Sequence, residues 1–390
     1  MSYAFGVAAL ILGLLASIAL HEYGHLVVAR WARVKVSDFM VGFGPRVWGR
    51  KIGETEFGLR LIPLGGYIRM IGMYPPHSKL GVDEHANLGP ADRARVFHAI
   101  HPGKKIAVMV AGPAMNLLLG VLLITMAGMG IGLPGPTPEI SRLSSCGEVR
   151  DECVETPAQK MGLLPGDRVV AIAGSGVLDW PGLVDAIDRS AGRDVEVRVL
   201  RGDSEVRLSG EIGKVGEAGF LGIVPATSYQ RVGPADVAGI VSSTVDRTVN
   251  AIAGFPARLV ELTGVVLRGQ PRDPSGPIGV VGLARISGEV AESSADWRVA
   301  VLDILLLLAG LNISLFVFNL IPLVPLDGGN ALTAMFELVR RSYARVRGRV
   351  VPPAVDGAKL LPLTYSVAIF LLAMAVLVTL ADIVEPLRLV

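Results

Sequence analysis

The chain has 390 residues, of which 18% are charged, with a net charge of +2 and a mean hydropathy of +0.52. Soluble domains usually carry about 25% charged residues, so this composition argues against a purely soluble protein. The near-neutral charge gives no reason to expect nucleic acid as a partner, and two cysteines are too few for a disulfide scaffold or a four-cysteine zinc module. These properties favour a membrane protein with a folded polar portion.

Four stretches contain no Asp, Glu, Lys, Arg or His, namely residues 3–20, 106–133, 304–326 and 360–381. Each is near or above the length of about 18–20 residues that crosses a hydrocarbon core, so we predict four transmembrane helices. Buried helices of one large soluble core would be the alternative, and four such runs fit it poorly. The first stretch lacks the basic start and small-residue cleavage site of a signal peptide, so we expect it to remain in the protein.

Basic residues near the ends of the four stretches predict the orientation in the membrane. They cluster after the first stretch, before the second, and between the third and fourth: Arg30, Arg33, Lys35, Arg93, Arg95, Lys104, Lys105, Arg340, Arg341, Arg345, Arg347, Arg349 and Lys359. The N-terminus has none before the first stretch, and the C-terminal tail has only Arg388. We therefore expect both basic loops to be cytoplasmic, and both termini and residues 134–303 to lie outside.

The two cysteines fall in the segment that is expected to lie outside the cytoplasm. Cys146 and Cys153 are close in sequence, and an oxidising compartment permits a short local disulfide between them. Two unpaired thiols are the alternative, which spacing alone leaves open.

The first stretch runs directly into His21-Glu22-Tyr-Gly-His25, an H-E-x-x-H pattern. Residues four apart share one helix face, so both imidazoles can bind one zinc ion, and Glu22 beside them can take a proton from water. Two histidines stacked against lipid headgroups are the alternative. Ionisable residues continuous with a transmembrane helix are costly and usually functional, which favours the metal site.

Two histidines and a water leave a catalytic zinc one protein ligand short. Asp327 follows the third stretch in Asn319-Leu-Ile-Pro322-Leu-Val-Pro325-Leu-Asp327-Gly-Gly, and both it and His21 are expected in the same leaflet. The prolines and the glycine pair are expected to break the helix, which a bilayer tolerates where the backbone is buried in protein or lines a watery cavity. An ordinary carboxylate at a helix end is the alternative reading of Asp327.

Together, H-E-Y-G-H and N-L-I-P-L-V-P-L-D-G-G resemble the site-2 protease family of intramembrane zinc metalloproteases, in particular its bacterial regulator-of-sigma-E branch. The resemblance implies a Zn²⁺ site with His21, His25 and Asp327 as ligands, and catalytic roles for Glu22 as general base and for Asn319 near the substrate or oxyanion. Many members continue L-D-G-G-H, whereas this chain has Asn330.

The resemblance also implies the substrate and the location. The substrate would be a single-pass membrane protein, typically an anti-sigma factor already cut by a site-1 protease, and the other partner is the lipid bilayer. The protein would be a multi-pass protein of the bacterial cell (inner) membrane, with its active site toward the cytoplasm.

Four further segments have recognisable patterns. Residues 41–70 favour short strands or a hairpin, which is a membrane-dipping β-element in the resembled family or else an ordinary cytoplasmic hairpin. Ala111-Gly112-Pro113 and Asn116 favour helix packing, and a similar family pattern places this span beside the catalytic helices.

Residues 154–172 resemble a PDZ domain, with a short helix expected over 180–190. Its role would be to bind a peptide end, to exclude intact proteins, or only to cap the site. Residues 274–285 fit a surface-lying helix by pattern alone, and the family resemblance implies that this stretch flanks the substrate path.

The predicted fold is a polytopic α-helical membrane protein with four transmembrane helices, a cytoplasmic-side membrane-associated β-element and one extracytoplasmic PDZ-like α/β domain. Its expected segments are 1–33 (helix 1), 34–103 (loop with β-hairpin), 104–134 (helix 2), 135–226 (PDZ-like domain), 227–300 (amphipathic region), 301–330 (helix 3), 331–359 (basic loop) and 360–390 (helix 4 and tail).

The predicted function is a zinc metalloendopeptidase that performs regulated intramembrane proteolysis. A catalytically silent, membrane-tethered PDZ adaptor is the alternative, and an intact Glu22 argues against it because a structural site needs no base. A metal transporter would need more intramembrane ligands than the second and fourth stretches offer.

Overall fold

A computed structural model of the chain describes residues 2–76, 78, 88–144, 147–149, 152–273, 276–294 and 296–387. The chain divides into two compact units, one formed by Met1–Ala127 with Gly233–Val390 and the other by Gly128–Val232. The predicted pairing of Cys146 with Cys153 lies outside the described residues.

The elements in chain order are as follows. The helices are α1 (Tyr3–Trp31), α2 (Pro90–Arg93), α3 (Pro102–Thr125, continued by a π-helix over Met126–Ile131), α4 (Pro157–Met161), α5 (Trp180–Arg189), α6 (Pro234–Ala253), α7 (Phe255–Arg268), α8 (Val280–Ser293), α9 (Trp297–Asn319), α10 (Asp327–Val346) and α11 (Leu361–Val384). The strands are β1 (Val36–Ile52), β2 (Thr55–Met70), β3 (Leu133–Leu143), β4 (Gly147–Val149), β5 (Glu152–Val154), β6 (Arg168–Ile172), β7 (Ser175–Gly176), β8 (Asp194–Arg201), β9 (Ser204–Glu211), β10 (Gly213–Val215), β11 (Ala218–Phe220) and β12 (Ile223–Gln230).

Within the described residues, four helical segments are long and apolar enough to cross a membrane: Tyr3–Trp31, Pro102–Ile131, Trp297–Asn319 and Gly357–Val384. They confirm the four predicted spans. Helices α6 and α7 also pass this test as a pair, but they meet at a bend of 65°. Helix α1 continues from its charge-free stretch through the H-E-x-x-H motif to Trp31, within the expected segment 1–33. Helix α9 ends at Asn319, before the two prolines, whereas the segment expected for the third span runs to residue 330.

Helix α1 is surrounded by α3, α8 and α9. Small residues allow the close approaches: a Cβ on Gly24 would lie 2.4 Å from the carbonyl oxygen of Ala111 in α3, and a Cβ on Gly6 would lie 2.0 Å from that of Ser287 in α8. The hydroxyl of Ser287 donates to the Gly6 carbonyl at 2.8 Å. Helix α8, whose residues 280–285 fit a surface-lying helix by pattern alone, therefore packs on α1.

Strands β1 and β2 pair with each other in the region where the sequence favours short strands or a hairpin, with Val36 opposite Met70 and Ile52 opposite Thr55. The pairing is irregular, because residues 38–41 pair with residues 66–69 and also with residues 56–59, so the hairpin folds back on itself. The first part of β1 is buried against α1 and α3, whereas the part toward the turn is exposed. The second strand returns beside α1. The hairpin therefore brings backbone close to the helix that carries the H-E-x-x-H motif.

A short irregular segment, residues 320–326, joins α9 to α10. Proline cannot continue a helix ladder, which explains why α9 ends before Pro322 and Pro325. The glycine pair does not interrupt a helix as expected, because it forms the first turn of α10. A Cβ on Gly328 would lie 2.3 Å from the carbonyl oxygen of Leu320, so only glycine lets the chain fold back this tightly.

The smaller unit is a mixed α/β fold at the place where a PDZ-like domain was expected. Its main sheet has the order β12-β3-β6-β8-β9, with β7 paired to β6, and these strands pair antiparallel. Helix α5 matches the short helix expected over 180–190, and it buries Leu183 and Ile187 in the core. Asp167 is fully buried in this unit and pairs with Arg201 at 2.8 Å.

Candidate metal centre

Helix α1 places the two histidines of the motif on one face, as their spacing predicts. The Nε2 atoms of His21 and His25 lie 3.2 Å apart, and the rings meet edge to face with centroids 4.9 Å apart. His25 is buried, and the side chain of His21 is 14% exposed. Both imidazoles therefore direct a nitrogen atom at one point inside the protein.

Asp327 completes this arrangement from a position about 300 residues later in the chain. Its Oδ2 atom lies 3.2 Å from Nε2 of His21 and 3.3 Å from Nε2 of His25. Asp327 begins α10, directly after the irregular segment, and this return of the chain carries its carboxylate to α1. Among the described residues, His21, His25 and Asp327 are the group that could hold a metal ion.

The three atoms have the geometry and chemistry that zinc requires. Atoms bonded to one tetrahedral zinc ion at about 2.0–2.1 Å lie about 3.3–3.4 Å from each other, close to all three separations here. Nδ1 of His25 donates to the carbonyl oxygen of Val108 at 2.7 Å, so Nε2 of the neutral ring presents a lone pair. A cation between the three atoms offsets the repulsion of lone pairs that converge on one point.

Helix α3 supports both histidines, a role that its small-residue motif did not reveal. Val108 accepts from His25, and one turn later Gly112 leaves space for the same ring, since a Cβ on it would lie 2.2 Å from His25 Nε2. A further turn on, the amide Nδ2 atom of Asn116 lies 3.1 Å from Nδ1 of His21. The sequence signal for this role was a lone Asn in an apolar run, one turn after Gly-Pro.

Glu22 lies between α1 and strand β2. Its side chain is buried, and its carboxylate accepts a hydrogen bond from the backbone N–H of Ile68. Gly66, in the same strand, lets the backbone approach, because a Cβ there would lie 2.9 Å from Cγ of Glu22. The hairpin thus fixes the position of this carboxylate, a contact that the sequence pattern did not predict.

The structure places the remaining predicted residue, Asn319, at the end of α9, where it is half-buried. It makes no hydrogen bond to another residue in the described part of the chain. Asn330, where the resembled family often has histidine, lies one turn after Asp327 and donates to the carbonyl oxygen of Leu326 at 3.5 Å. It lines a cavity of about 220 Å³ together with the buried Lys105, and it is not one of the three residues of the metal centre.

Four membrane-length helices and an H-E-x-x-H motif joined by a distant aspartate define a membrane protein with a metal centre of the metallopeptidase type. The family model of Peptidase family M50 matches residues 9–362. The chain belongs to peptidase family M50. This membership confirms the predicted family, the enzyme class of zinc metalloendopeptidase and the Zn²⁺ cofactor.

The chain is similar in sequence to zinc metalloproteases over most or all of their length. The chain is 34% identical over 425 residues to the zinc metalloprotease Rip1 of Mycobacterium tuberculosis, covering 100% of both chains. It is 31% identical over 420 residues to Rip1 of Mycolicibacterium smegmatis, covering 99% of each. A putative zinc metalloprotease of Clostridium acetobutylicum is 26% identical over 337 residues, with 86% of this chain and 88% of that protein covered.

Proposed function

We propose that this protein cleaves single-pass membrane proteins within or next to the bilayer, and that its substrates are anti-sigma factors already shortened by a site-1 protease. The observation that carries the proposal is the triangle of Nε2, Nε2 and Oδ2 atoms with edges of 3.2–3.3 Å, formed among membrane-length helices with Glu22 beside it. Similarity to zinc metalloproteases over nearly the whole chain supports the same reaction class.

In this proposal His21, His25 and Asp327 hold the zinc ion. Zinc bound there supplies a Lewis acid that lowers the pKa of a water molecule and polarises the scissile carbonyl. Glu22 accepts the proton of the attacking water and passes it to the leaving amine. The N–H of Ile68 restricts the carboxylate to one orientation during these transfers.

Asn319 is proposed to donate its side-chain amide to the oxyanion that forms on the scissile carbonyl. Its place at the last residue of α9, eight positions before Asp327, supports this role. Its side chain is not held by another described residue, so its amide is available to a substrate.

The hairpin is proposed to hold the substrate extended. A peptide bond inside a helix is shielded from attack, so cleavage requires a local extended conformation, and an unpaired strand edge can impose one by adding the substrate as a further strand. Support comes from the two-stranded sheet of β1 and β2, whose second strand contacts Glu22 through Ile68. A substrate strand beside it would lie near the base.

The smaller unit is proposed to be a PDZ-like domain outside the cytoplasm that excludes intact proteins from the site by size. The basic residues around the spans support an orientation in the bacterial cell membrane with both basic loops in the cytoplasm and both termini outside. The compact α/β fold of Gly128–Val232 supports a separate domain at this position.

The test measures zinc per chain and cleavage with the full chain purified in detergent. Wild type should hold about one zinc, Asp327→Ala should hold much less, and Glu22→Gln should keep zinc but fail to cut a single-pass anti-sigma factor whose outer domain has been trimmed. Zinc content unaffected by Asp327→Ala would remove the ligand assignment. Cleavage by Glu22→Gln would remove the proposed mechanism, and cleavage of the untrimmed protein at the same rate would remove the requirement for a prior cut.

A further inference from the structure

Asn116 is a buried polar side chain in the membrane-length helix α3 that the peptidase mechanism does not use. It is 1% exposed, and its amide nitrogen lies 3.1 Å from Nδ1 of His21. Its Oδ1 atom is buried without a hydrogen-bond partner in the described structure. A polar group in this position is expensive unless it is paired, so the contact with His21 needs a chemical account.

The protonation of His21 decides which amide atom can make this contact. The metal triangle uses Nε2 of His21, and a neutral imidazole whose Nε2 offers a lone pair carries its proton on Nδ1. Nδ1–H and the amide NH₂ are both donors and cannot bond to each other. A rotation of the amide by 180° exchanges atoms that have nearly the same shape, and it places the Oδ1 acceptor opposite Nδ1–H.

We propose that Asn116 is a positioning residue whose Oδ1 accepts the Nδ1–H of His21 and so directs the Nε2 lone pair of His21 at the metal. The inference rests on the proposed ligand set. Hydrogen bonds of this type commonly fix the tautomer and ring orientation of metal-bound histidines, and their loss typically weakens metal binding about 10–100-fold.

The packing of α1 against α3 supports the assignment. His25 donates the equivalent hydrogen bond to the same helix, from Nδ1–H to the carbonyl oxygen of Val108 at 2.7 Å. The two helices run antiparallel and approach closely where Gly24 meets Ala111, which brings a side chain as short as asparagine within reach of a ring on α1. Helix α3 thus holds both imidazoles, one by a backbone carbonyl and one by Asn116.

Two substitutions of Asn116 separate hydrogen bonding from packing. Asn116→Leu keeps the approximate volume and removes the acceptor, so zinc affinity should fall about 10–100-fold. Asn116→Asp keeps an acceptor at the same place and should bind zinc at least as tightly as wild type. The matched control is Asn312→Leu: Asn312 is fully buried in α9 and donates to Ser17 at 2.9 Å, without contact to a proposed ligand.

The experiment is a competition between the full-length protein in detergent and a zinc chelator, with Zn²⁺ alone as the probe. The visible spectrum of the Co²⁺-loaded protein reports ligand geometry independently of activity, and thermal unfolding shows that each variant is folded. The expected result is weaker zinc binding and an altered Co²⁺ spectrum in Asn116→Leu, with wild-type behaviour in Asn116→Asp and Asn312→Leu. If Asn116→Leu does not fold, the comparison of Asn116→Asp with wild type still decides.

Three results would overturn the inference. Wild-type zinc affinity in Asn116→Leu would show that the contact does not position His21. An Asn116→Asp variant that binds zinc as weakly as the leucine variant, or ten-fold more weakly than wild type, would show that the amide does not act as an acceptor. His21→Ala with undiminished zinc binding would remove the ligand assignment itself, and with it both the proposed function and this inference.

Discussion

The sharpest steric test of the metal centre is Gly112→Ala. Gly112 lies on α3 opposite the ring of His25, and a Cβ there would be 2.2 Å from Nε2 and 2.7 Å from Cδ2 and Cε1. Ordinary contact begins at about 3.4 Å, so the methyl group and the ring must separate by about 1.2 Å. Because the carbonyl of Val108 fixes the other side of the ring, His25 cannot yield without losing that hydrogen bond.

A shift of this size exceeds what a metal site tolerates. Zinc–ligand distances are held within about 0.2 Å, so a displacement of about 1 Å removes His25 from the coordination sphere. Misplacement of a catalytic group by about 1 Å can cost about 100-fold in rate. We therefore expect Gly112→Ala to lose most of its zinc and to cleave at least about 100-fold more slowly.

The assay is zinc per chain by elemental analysis, paired with thermal unfolding and cleavage rate. Alanine favours a helix over glycine by up to about 1 kcal/mol, so a damaged helix would not explain the loss. Gly310→Ala is the matched control, because Gly310 lies in α9 and a Cβ on it would meet nothing within 4 Å. A Gly112→Ala protein with full zinc content and wild-type rate would refute the packing argument.

Three further predictions test other contacts. In Gly66→Ala the new Cβ would lie 2.9 Å from Cγ of Glu22, so cleavage should slow by about 10-fold or more while the zinc content stays unchanged. A loss of zinc together with the loss of cleavage would contradict the assignment of Glu22 as a base that does not bind the metal. Lys105→Met leaves the buried carboxylate of Glu337 with one cation instead of two, so the free energy of unfolding should fall by about 3 kcal/mol. The double variant Lys105→Met/Glu337→Leu should recover part of this stability, and a double variant less stable than Lys105→Met would contradict the reasoning. Burial raises the pKa of Asp167, but the adjacent guanidinium and a backbone N–H outweigh it and hold that pKa below its usual value of about 3.9. The stability that this ion pair contributes is present above about pH 4 and is lost as the pH falls further. The melting temperature of Asp167→Asn should therefore lie below that of wild type at pH 7, and the two should converge near pH 2–3. A difference in melting temperature that does not change with pH would count against this ion pair.

The metal triangle could be predicted from the sequence because the positions of its members follow two simple rules. Residues four apart share a helix face, which brings His21 and His25 together, and the depth of a residue in a span follows from its distance to the span end, which brings Asp327 to the same level. Both rules depend only on position along the chain. The four spans followed from composition for the same reason.

The contacts around the triangle could not be predicted in this way. The contacts of Val108 and Asn116 with the histidines, and of Ile68 with Glu22, depend on which faces of α1, α3 and β2 meet. The local sequence pattern of an apolar helix does not determine how the helix is rotated about its axis, and so does not determine which face meets a neighbour. Small residues identified α3 as a packing helix and the family resemblance placed it beside the catalytic helices, but neither indicated which of its residues contact the two histidines.

Helix α10 was also missed, although a signal existed. Its composition is basic, and the segment was expected to be a loop. Large exposed apolar side chains recur along it at helical spacing, at Leu332, Phe336, Val339 and Tyr343. Since such spacing predicts an amphipathic helix, the helical periodicity of the apolar residues in this basic segment is a signal that predicts α10.

Burial of an H-E-x-x-H motif in a membrane-length helix explains why the site draws on several elements. Each polar atom there needs a partner, because the bilayer supplies none. Helix α1 can satisfy its own backbone, but its imidazoles need groups from α3 and its carboxylate needs the N–H of Ile68. Assembly of the metal centre is therefore coupled to the docking of α3 and the hairpin on α1. This coupling predicts that substitutions such as Gly24→Val, which separate α1 from α3, lower zinc affinity without touching a ligand.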